Sequence, residues 1–488
     1  PVELERVPLP SSFEYPLAGI QHVKLADFDA IIRAHKFGVA KIVARDTRKS
    51  VMVLPFEDLS PAGDNEWFSN GIVAELVGSL SNVKALRVID RQTTKEFKHY
   101  KGQLSDYASE MSIRYFIQGS VQKFGDQIKV NSSLLDIETG DHLWQESMKG
   151  TMDDVFEIQE KVVEKIVEGL KIHLTSDEKD KLAERGTENT EAYELYLRAI
   201  EYFLHHTKQG YEVAIQLDTE AIRLDPRYAN PYQHKANALT VLYTYDHQPE
   251  FLVQAESLCE DAMQLQPDLS AVYAPLSKVY MFQGKLEQAE EVAREYIRKA
   301  PEDLMSHFSL ALFFDRTGQP SKAIPLYEES LRLQPDHRTI LFNLVNNCNA
   351  AGDLEKSKLW ALVALPIQAR HLKLHPDDET SREFYTFFLR SAGHTEEARR
   401  EARLLKHAKD RAVLYNMACA FSDFGDYNDA FETLQRAMKA GYGNIQHLNN
   451  FLTEHPGIAA LADTPEYIET KKMLDEIVAR HNSQTTNG

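Results

Sequence analysis

Positive charge is the first thing this 488-residue sequence is short of: 55 Lys and Arg face 74 Asp and Glu, for a formal net charge of −19. Binding to a phosphate backbone needs a basic footprint, so this balance argues against nucleic acid as a ligand. Cysteine is scarce as well. Cys259, Cys348 and Cys419 lie far apart, none in a CxxC pair, and each sits on an apolar helical face. That spacing argues against a disulfide framework and a structural zinc site, and it fits a reducing cytoplasm. No apolar run approaches the ~18 residues needed to span a bilayer. The N-terminus lacks the charged-then-apolar pattern of a secretory leader. The chain opens on Pro1, not Met. A removed leader or anchor, and with it a periplasmic location, therefore stays open, as does a missing upstream domain. Phosphate-binding GxxxxGK[ST] and GxGxxG loops are absent, and so is HExxH. His371 and His375 are four apart, but they read as a solvated helix end before Pro376 and not as metal ligands. The sequence therefore assigns no catalytic residue, no metal ligand and no cofactor, and the chain is read as non-enzymatic.

Internal repetition is what the sequence does have. Segments ending "AIRLDP", "AMQLQP", "YIRKAP", "SLRLQP" and "HLKLHP" place Pro226, Pro267, Pro301, Pro335 and Pro376 at spacings of 41, 34, 34 and 41. Small and large residues recur in phase with them. One unit carries Tyr280, Gly284, Ala289 and Pro301. The next carries Ala311, Phe314, Gly318, Ala323, Tyr327, Leu331 and Pro335. A later one carries Ala418, Phe421, Gly425, Ala430 and Ala437. Small residues let two helices of a hairpin approach, glycine makes the turn between them, large residues fill the gap to the next hairpin, and proline stops the second helix. The period of 34 and this pattern resemble the tetratricopeptide repeat family. Seven units are read, over 191–226, 229–267, 270–301, 304–335, 338–376, 379–410 and 411–444. The second is expected to contain a long inter-helix loop, "TYDHQPEFL". The fifth is expected to have a lengthened second helix kinked at Pro366. Residues 445–481 read as a capping helix region, and 482–488 ("NSQTTNG") as a disordered tail.

Residues 50–174 have a different pattern. "SVMVLPFEDLS" is a β-branched run stopped by Pro55, "NEWFSNGIVAELVGSLSNV" has helical period, and "ALRVID" is a second strand. The stretch from Arg114 to Gly150 alternates around the turn signals "FGDQ" and "ETGD", which predicts a three-stranded meander. "VFEIQEKVVEKIVEGLKIHL" is an amphipathic helix. Together these predict a small α/β domain, with helices against one mixed sheet, ahead of an all-α solenoid. The words "VLPFEDLS", "EWFSNGIVAELVGSL", "LRVIDRQTT", "YFIQGSVQKFGDQIKVNSSLLDIETGDHLWQES" and "VFEIQEKVVEKIVEGL" resemble the TolB-like amino-terminal domain that precedes tetratricopeptide arrays in many bacterial proteins. In that family the pair of modules often follows a nucleotide cyclase, a protein kinase, a DNA-binding domain or a membrane helix, and no such module is visible here. Residues 1–49 match no known pattern and read as an arm or linker. Residues 175–190 read as a linker.

An array of this kind implies binding in place of catalysis. The first helices of stacked hairpins line a concave groove. The polar groove candidates are Asn230, His234, His307, Asn343, Asn346, Asn347, Tyr415 and Asn416, with "NLVNNCNA" the densest cluster. Asn offers both donors and an acceptor to a peptide backbone. The expected function is a scaffold for a protein or peptide partner, or for a second copy of the chain. Two alternatives stand beside it: the regulatory part of a bacterial signalling protein whose effector domain is absent, and an accessory subunit of a larger enzyme or envelope complex with residues 1–49 as its docking arm.

Overall fold

The computed structural model describes residues 48–485, apart from 62–64, 82, 90–93, 95–96, 98–99, 101, 112 and 184–185. The arm expected over residues 1–49 lies outside the described residues except for Arg48 and Lys49, and so do residues 486–488 of the expected tail. The described chain divides at Pro335 into two compact units.

The first unit begins with a mixed sheet. Its strands are β1 (Lys49–Val53), β2 (Glu57–Asp58), β3 (Leu86–Val88), β4 (Tyr115–Phe124), β5 (Gln127–Asp136) and β6 (Asp141–Thr151). They lie in the order β3-β1-β4-β5-β6, with β2 also paired to β4. β1 runs parallel to both β3 and β4, and β2 continues alongside β4 after the interruption at Pro55, whose nitrogen has no proton to give the ladder. β4, β5 and β6 form the expected antiparallel meander, with a register shift at Leu134/Leu135. Helices α1 (Glu66–Ser81) and α3 (Val155–Gly169) cover one face of this sheet, and α2 (Leu104–Met111) precedes β4. Phe68, Ile72 and Leu76 of α1 and Val155, Val162 and Ile166 of α3 form one core with Val51, Val53, Ile117 and Leu134. Alternation along the strands and a helical stripe along α1 and α3 put these apolar side chains on the facing surfaces.

The segment expected to act as a linker contains α4 (Ser176–Ala183) and is tied down. The buried Glu178 carboxylate accepts from the Lys84 amide at 2.9 Å and from the Thr175 amide at 2.8 Å. Four helical hairpins follow: α5 (Thr190–Phe203) with α6 (Lys208–Leu224), α7 (Ala229–Asp246) with α8 (Pro249–Leu265), α9 (Tyr273–Phe282) with α10 (Leu286–Lys299), and α11 (Leu304–Arg316) with α12 (Pro320–Leu333). The long loop expected in the second hairpin is not there. α7 runs on to Asp246, His247 turns the chain in the left-handed region at φ 52°, and Pro249 begins α8. Proline at a helix start gives up only an amide that would have had no intrahelical partner, so here it opens a helix and does not mark a loop.

The first hairpin does not stand apart from the α/β part. Ala192, Tyr193, Tyr196, Leu197 and Ile200 of α5, with Tyr228, belong to the same core as the sheet and α1. α5 crosses α1 so closely at Gly71 that a Cβ there would lie 2.8 Å from Leu197 Cβ. Lys123 of β4 pairs with Glu194 of α5 at 2.7 Å and stands over the Trp67 ring.

The second unit holds α13 (Arg338–Ala350) with α14 (Leu354–Leu374), α15 (Glu379–Ala392) with α16 (Thr395–Leu404), and α17 (Arg411–Asp423) with α18 (Tyr427–Lys439). The lengthened helix expected around Pro366 is α14, with 21 residues. Helices α19 (Ile445–Thr453), α20 (Pro456–Ala459) and α21 (Pro465–Thr485) close the unit. Leu448, Phe451, Leu452 and Leu474 from these helices pack with Phe431, Leu434 and Met438 of the last hairpin. No helix among the described residues is long and apolar enough to cross a membrane.

Candidate partner-binding site

In each of five hairpins the first helix ends at a glycine with positive φ: Gly284 (76°), Gly318 (70°), Gly352 (74°), Gly393 (88°) and Gly425 (77°). Nothing lies within 4 Å of where a Cβ would sit on any of them, so the requirement is backbone conformation and not space. These glycines fix the phase of the preceding helices. In the second unit the equivalent positions are Phe342, Glu383 and Tyr415, then Asn346, Phe387 and Cys419 one turn later, then Asn349, Arg390 and Ser422. The first helices α13, α15 and α17 touch one another in that order, so the equivalent positions form rows across them.

The first row is aromatic around one carboxylate. The Phe342 ring stacks on Phe384 at 4.4 Å and meets Phe387 at 4.5 Å. Glu383 is enclosed at 5% exposure, and Asn416 Nδ2 donates to its Oε1 at 2.5 Å. Burial pushes the Glu383 carboxyl up to about 7; the Asn416 hydrogen bond opposes this, and Asp410 and Asp378 reinforce it. Tyr415 lies flat on Tyr442, with centroids 4.4 Å apart and planes within 6°, and its hydroxyl donates to the His447 carbonyl. At the far end of the face Arg390 pairs with Asp423, which also meets His455 Nε2 at 3.2 Å.

The sequence-predicted residues separate into two groups. Asn346 is exposed, and Asn343, Tyr415 and Asn416 are partly exposed; these four belong to the second unit. Asn230, at the start of α7 in the first unit, is also partly exposed. The other three are corrected by their surroundings. His234 is buried, with Nδ1 2.7 Å from Oδ2 of the fully buried Asp218, and its ring lies against Phe203 and Tyr196. His307 is buried and bonds through Nε2 to the Pro301 carbonyl at 2.8 Å, which ties α11 to the turn before it. Asn347 is fully buried and donates to the Asn343 carbonyl within its own helix. A polar residue on an amphipathic helix points outward only if no buried partner is waiting for it. Asp218 and the Pro301 carbonyl are such partners.

His371 is enclosed at 1% exposure, with Nδ1 at 2.9 Å from Ser381 Oγ and 3.2 Å from Arg338. It is an interior polar link between α13, α14 and α15 and not the solvated helix end that the sequence suggests. Sequence reading passed over Glu383, Phe342, Phe384 and Phe387. The signal that finds them is their distance from the turn glycine, not their residue type.

Residues 275–338 match the tetratricopeptide repeat family. A curated relative, the putative adenylate cyclase 3 of Rhizobium meliloti (strain 1021), is 27% identical over 248 residues, which is 50% of this chain and 42% of that protein. The chain thus spans less than half the length of that relative. Among solved structures, TTC0263, a thermophilic repeat protein of Thermus thermophilus, is 19% identical with a TM-score of 0.34, covering 41% of this chain and 98% of its own. A tetratricopeptide repeat protein from Parabacteroides merdae ATCC 43184 is 14% identical with a TM-score of 0.37, covering 55% and 99%. The human IFIT1 dimer with PPP-AAAA is 15% identical with a TM-score of 0.42, covering 66% and 78%. With the period, the turn glycines and the paired helices, the family match makes the helical hairpins of this chain a tetratricopeptide repeat array.

Proposed function

We propose that this chain is a non-enzymatic scaffold that holds a protein or peptide partner on the shared face of its first helices. The observation that carries the reading is the row across α13, α15 and α17. It places the partly exposed rings of Phe342, Phe384 and Tyr415 beside the amides of Asn343, Asn346 and Asn416. Aromatic rings supply buried area at low entropic cost, and side-chain amides satisfy the backbone groups of an extended segment in both directions. The test begins with proteins that co-purify with the tagged full chain, identified and then titrated against it. Asn346→Ala and Phe384→Ala are each expected to weaken binding about tenfold, or about 1.4 kcal/mol. Unchanged affinity in both variants would overturn the reading. So would a chain that recovers no partner and shows no concentration-dependent self-association.

A second reading is favoured by the relative named as a putative adenylate cyclase and by the TolB-like resemblance of residues 50–174. In it, this chain is the regulatory part of a bacterial signalling protein of the nucleotide cyclase, kinase or transcription-regulator type. The reading frame ahead of Pro1 decides: an effector domain encoded in frame supports it, and a start codon directly before Pro1 refutes it. Under either reading we place the protein in the cytoplasm, in keeping with its acidity and with three cysteines that form no disulfide, two of them buried.

A further inference from the structure

Among the described residues four acidic side chains are buried: Asp136, Glu178, Asp218 and Glu383. Three of them are held by an ionisable donor or by more than one donor. Asp136 takes the Arg114 guanidinium at 2.8 Å, Glu178 takes the Lys84 and Thr175 amides, and Asp218 takes His234 Nδ1. Glu383 on α15 is different. It meets one neutral donor, Asn416 Nδ2, at Oε1. Its Oε2 has no hydrogen-bond partner among the described residues, yet it is not sealed from solvent. The charges that act on this carboxyl are both negative, Asp378 and Asp410, and each of those caps a helix. The cation of the same helix face, Arg390, stands about two turns away and is paired with Asp423.

Its place in the array limits what can reach it. In the row across α13, α15 and α17 Glu383 stands between Phe342 and Tyr415, and the Phe384 ring that follows it stacks on Phe342. Phe342, Phe384 and Tyr415 are each partly exposed, so the row is open to a ligand. A buried carboxyl can be a purely interior group, neutral and bonded to one neighbour. A glutamine would bond to Asn416 in the same way without the cost of a buried charge. Interior packing therefore accounts for the Asn416 bond and leaves the ionisable group and its open oxygen unexplained. A cation supplies what is missing: it pairs with the carboxylate, and aromatic faces attract it too. Arginine pairs best through two parallel bonds to both oxygens, and Oε1 is already taken. A lysine ammonium needs only one oxygen, and its long stem lies readily on apolar surface.

We infer that Glu383 receives the ammonium of one lysine side chain of a peptide bound across α13, α15 and α17. This rests on the scaffold reading above and adds the chemistry of the partner. The net charge of −19 draws basic segments to the chain as a whole, and Glu383 fixes the point at which one lysine is read.

The test uses the fluorescent full chain and four bead-bound pools of heptapeptides at about pH 8, where Glu383 is ionised. The flanking positions are randomised among uncharged residues, and both peptide ends are blocked. The central residue is lysine, acetyl-lysine, arginine or glutamate. The lysine pool is expected to retain about tenfold more chain than the acetyl-lysine and glutamate pools, with arginine in between and the margin shrinking as salt is raised. Glu383→Gln keeps the acceptor for Asn416 and is expected to abolish the margin. Glu469→Gln removes the same charge from an exposed site on α21 and is expected to keep it. Urea midpoints of both variants separate lost charge from lost folding. Equal retention on all four pools, or none on any, overturns the inference. So does a margin that survives Glu383→Gln, or one that Glu469→Gln lowers as much. An arginine pool that retains as much chain as the lysine pool overturns the choice of lysine. The scaffold reading is judged separately, on the co-purified partner with Asn346→Ala and Phe384→Ala. If those variants lose the partner while the lysine margin survives Glu383→Gln, the scaffold stands and this inference falls.

Discussion

Two glycines on one helix should respond to the same substitution with opposite signs. Gly71 and Gly78 both lie in α1, about two turns apart. Glycine in a helix interior costs roughly 0.8–1.0 kcal/mol relative to alanine, because more backbone freedom is lost on folding. Gly78 is exposed and a Cβ there would meet nothing within 4 Å, so Gly78→Ala should gain about that amount. At Gly71 the new methyl would stand 2.8 Å from Leu197 Cβ, 2.9 Å from its Cδ1 and 3.1 Å from its Cδ2. A Cβ cannot turn aside by changing rotamer, so α1 and α5 must separate. Overpacking of this kind costs about 1–3 kcal/mol. The propensity gain is common to both variants, and the difference between them isolates the packing cost of about 1–3 kcal/mol. Urea unfolding followed by tryptophan fluorescence measures it, in a Trp360→Phe background so that Trp67 and Trp144 report on this core. Leu197→Ala should recover part of the loss in the Gly71→Ala chain, a coupling that a double-mutant cycle reads directly. If Gly71→Ala is stabilised as much as Gly78→Ala, α1 and α5 do not approach as described, and the reasoning fails.

Glu383 gives a stability that depends on pH. Its folded value of about 7 lies above the ordinary carboxyl value of 4.5, so the folded state holds the proton more tightly. Stability should therefore fall as pH rises from about 4.5 to 7 and level off above that, a loss on the order of 3 kcal/mol at most. Glu383→Gln keeps an acceptor for Asn416 and stays neutral. It should match the parent near pH 4.5 and exceed it at pH 8; a parent-to-variant difference equal at both pH values, from urea midpoints, would refute this. A fragment beginning at residue 191 should aggregate, because it uncovers Tyr193, Leu197 and Ile200 of α5, whereas residues 48–335 should remain monodisperse by light scattering. Equal behaviour of the two fragments would count against the shared core.

The repeat architecture was legible because its cause is periodic. Positive φ at Gly284, Gly318 and Gly425 is what the recurring glycine signals, and the alternation from Arg114 to Gly150 is the β4–β6 meander. The loop expected over "TYDHQPEFL" is absent because α7 runs on to Asp246 and Pro249 occupies a helix start. The site was less legible, for a different reason. Residue type alone ranked His234, His307 and Asn347 as surface candidates, yet each is held inside by a partner whose position depends on how helices pack. Asp218 lies in the preceding helix of a neighbouring hairpin, sixteen positions before His234, and nothing local marks it as buried. Glu383 is the converse. By residue type it looks like a solvated acid in the second turn of α15, but α17 brings Asn416 against it. Aligning the helices on their turn glycines recovers Phe342, Glu383 and Tyr415 as one row, so part of this information was in the sequence but is expressed between units and not within one.

The close passage of α5 over α1 bears on what the α/β part does. A domain joined to an array by a free linker would transmit nothing when a partner binds, because a flexible tether carries no coupling free energy. Here the connecting segment is held by Glu178, which accepts from the Lys84 amide, and α5 serves both as the first helix of the array and as a wall of the sheet's core. The ion pair of Lys123 with Glu194, the hydrogen bond of Gln159 Nε2 to the Tyr193 hydroxyl at 2.7 Å, and the fit of Leu197 against Gly71 all cross the same boundary. A displacement of α5 must therefore deform the α1–α5 contact or carry α1 with it, since close-packed interiors repack between discrete arrangements and do not yield smoothly. The α/β part is then better understood as a mechanical extension of the first hairpins than as an independent module beside them, and this is the arrangement that a regulatory role for the chain would require.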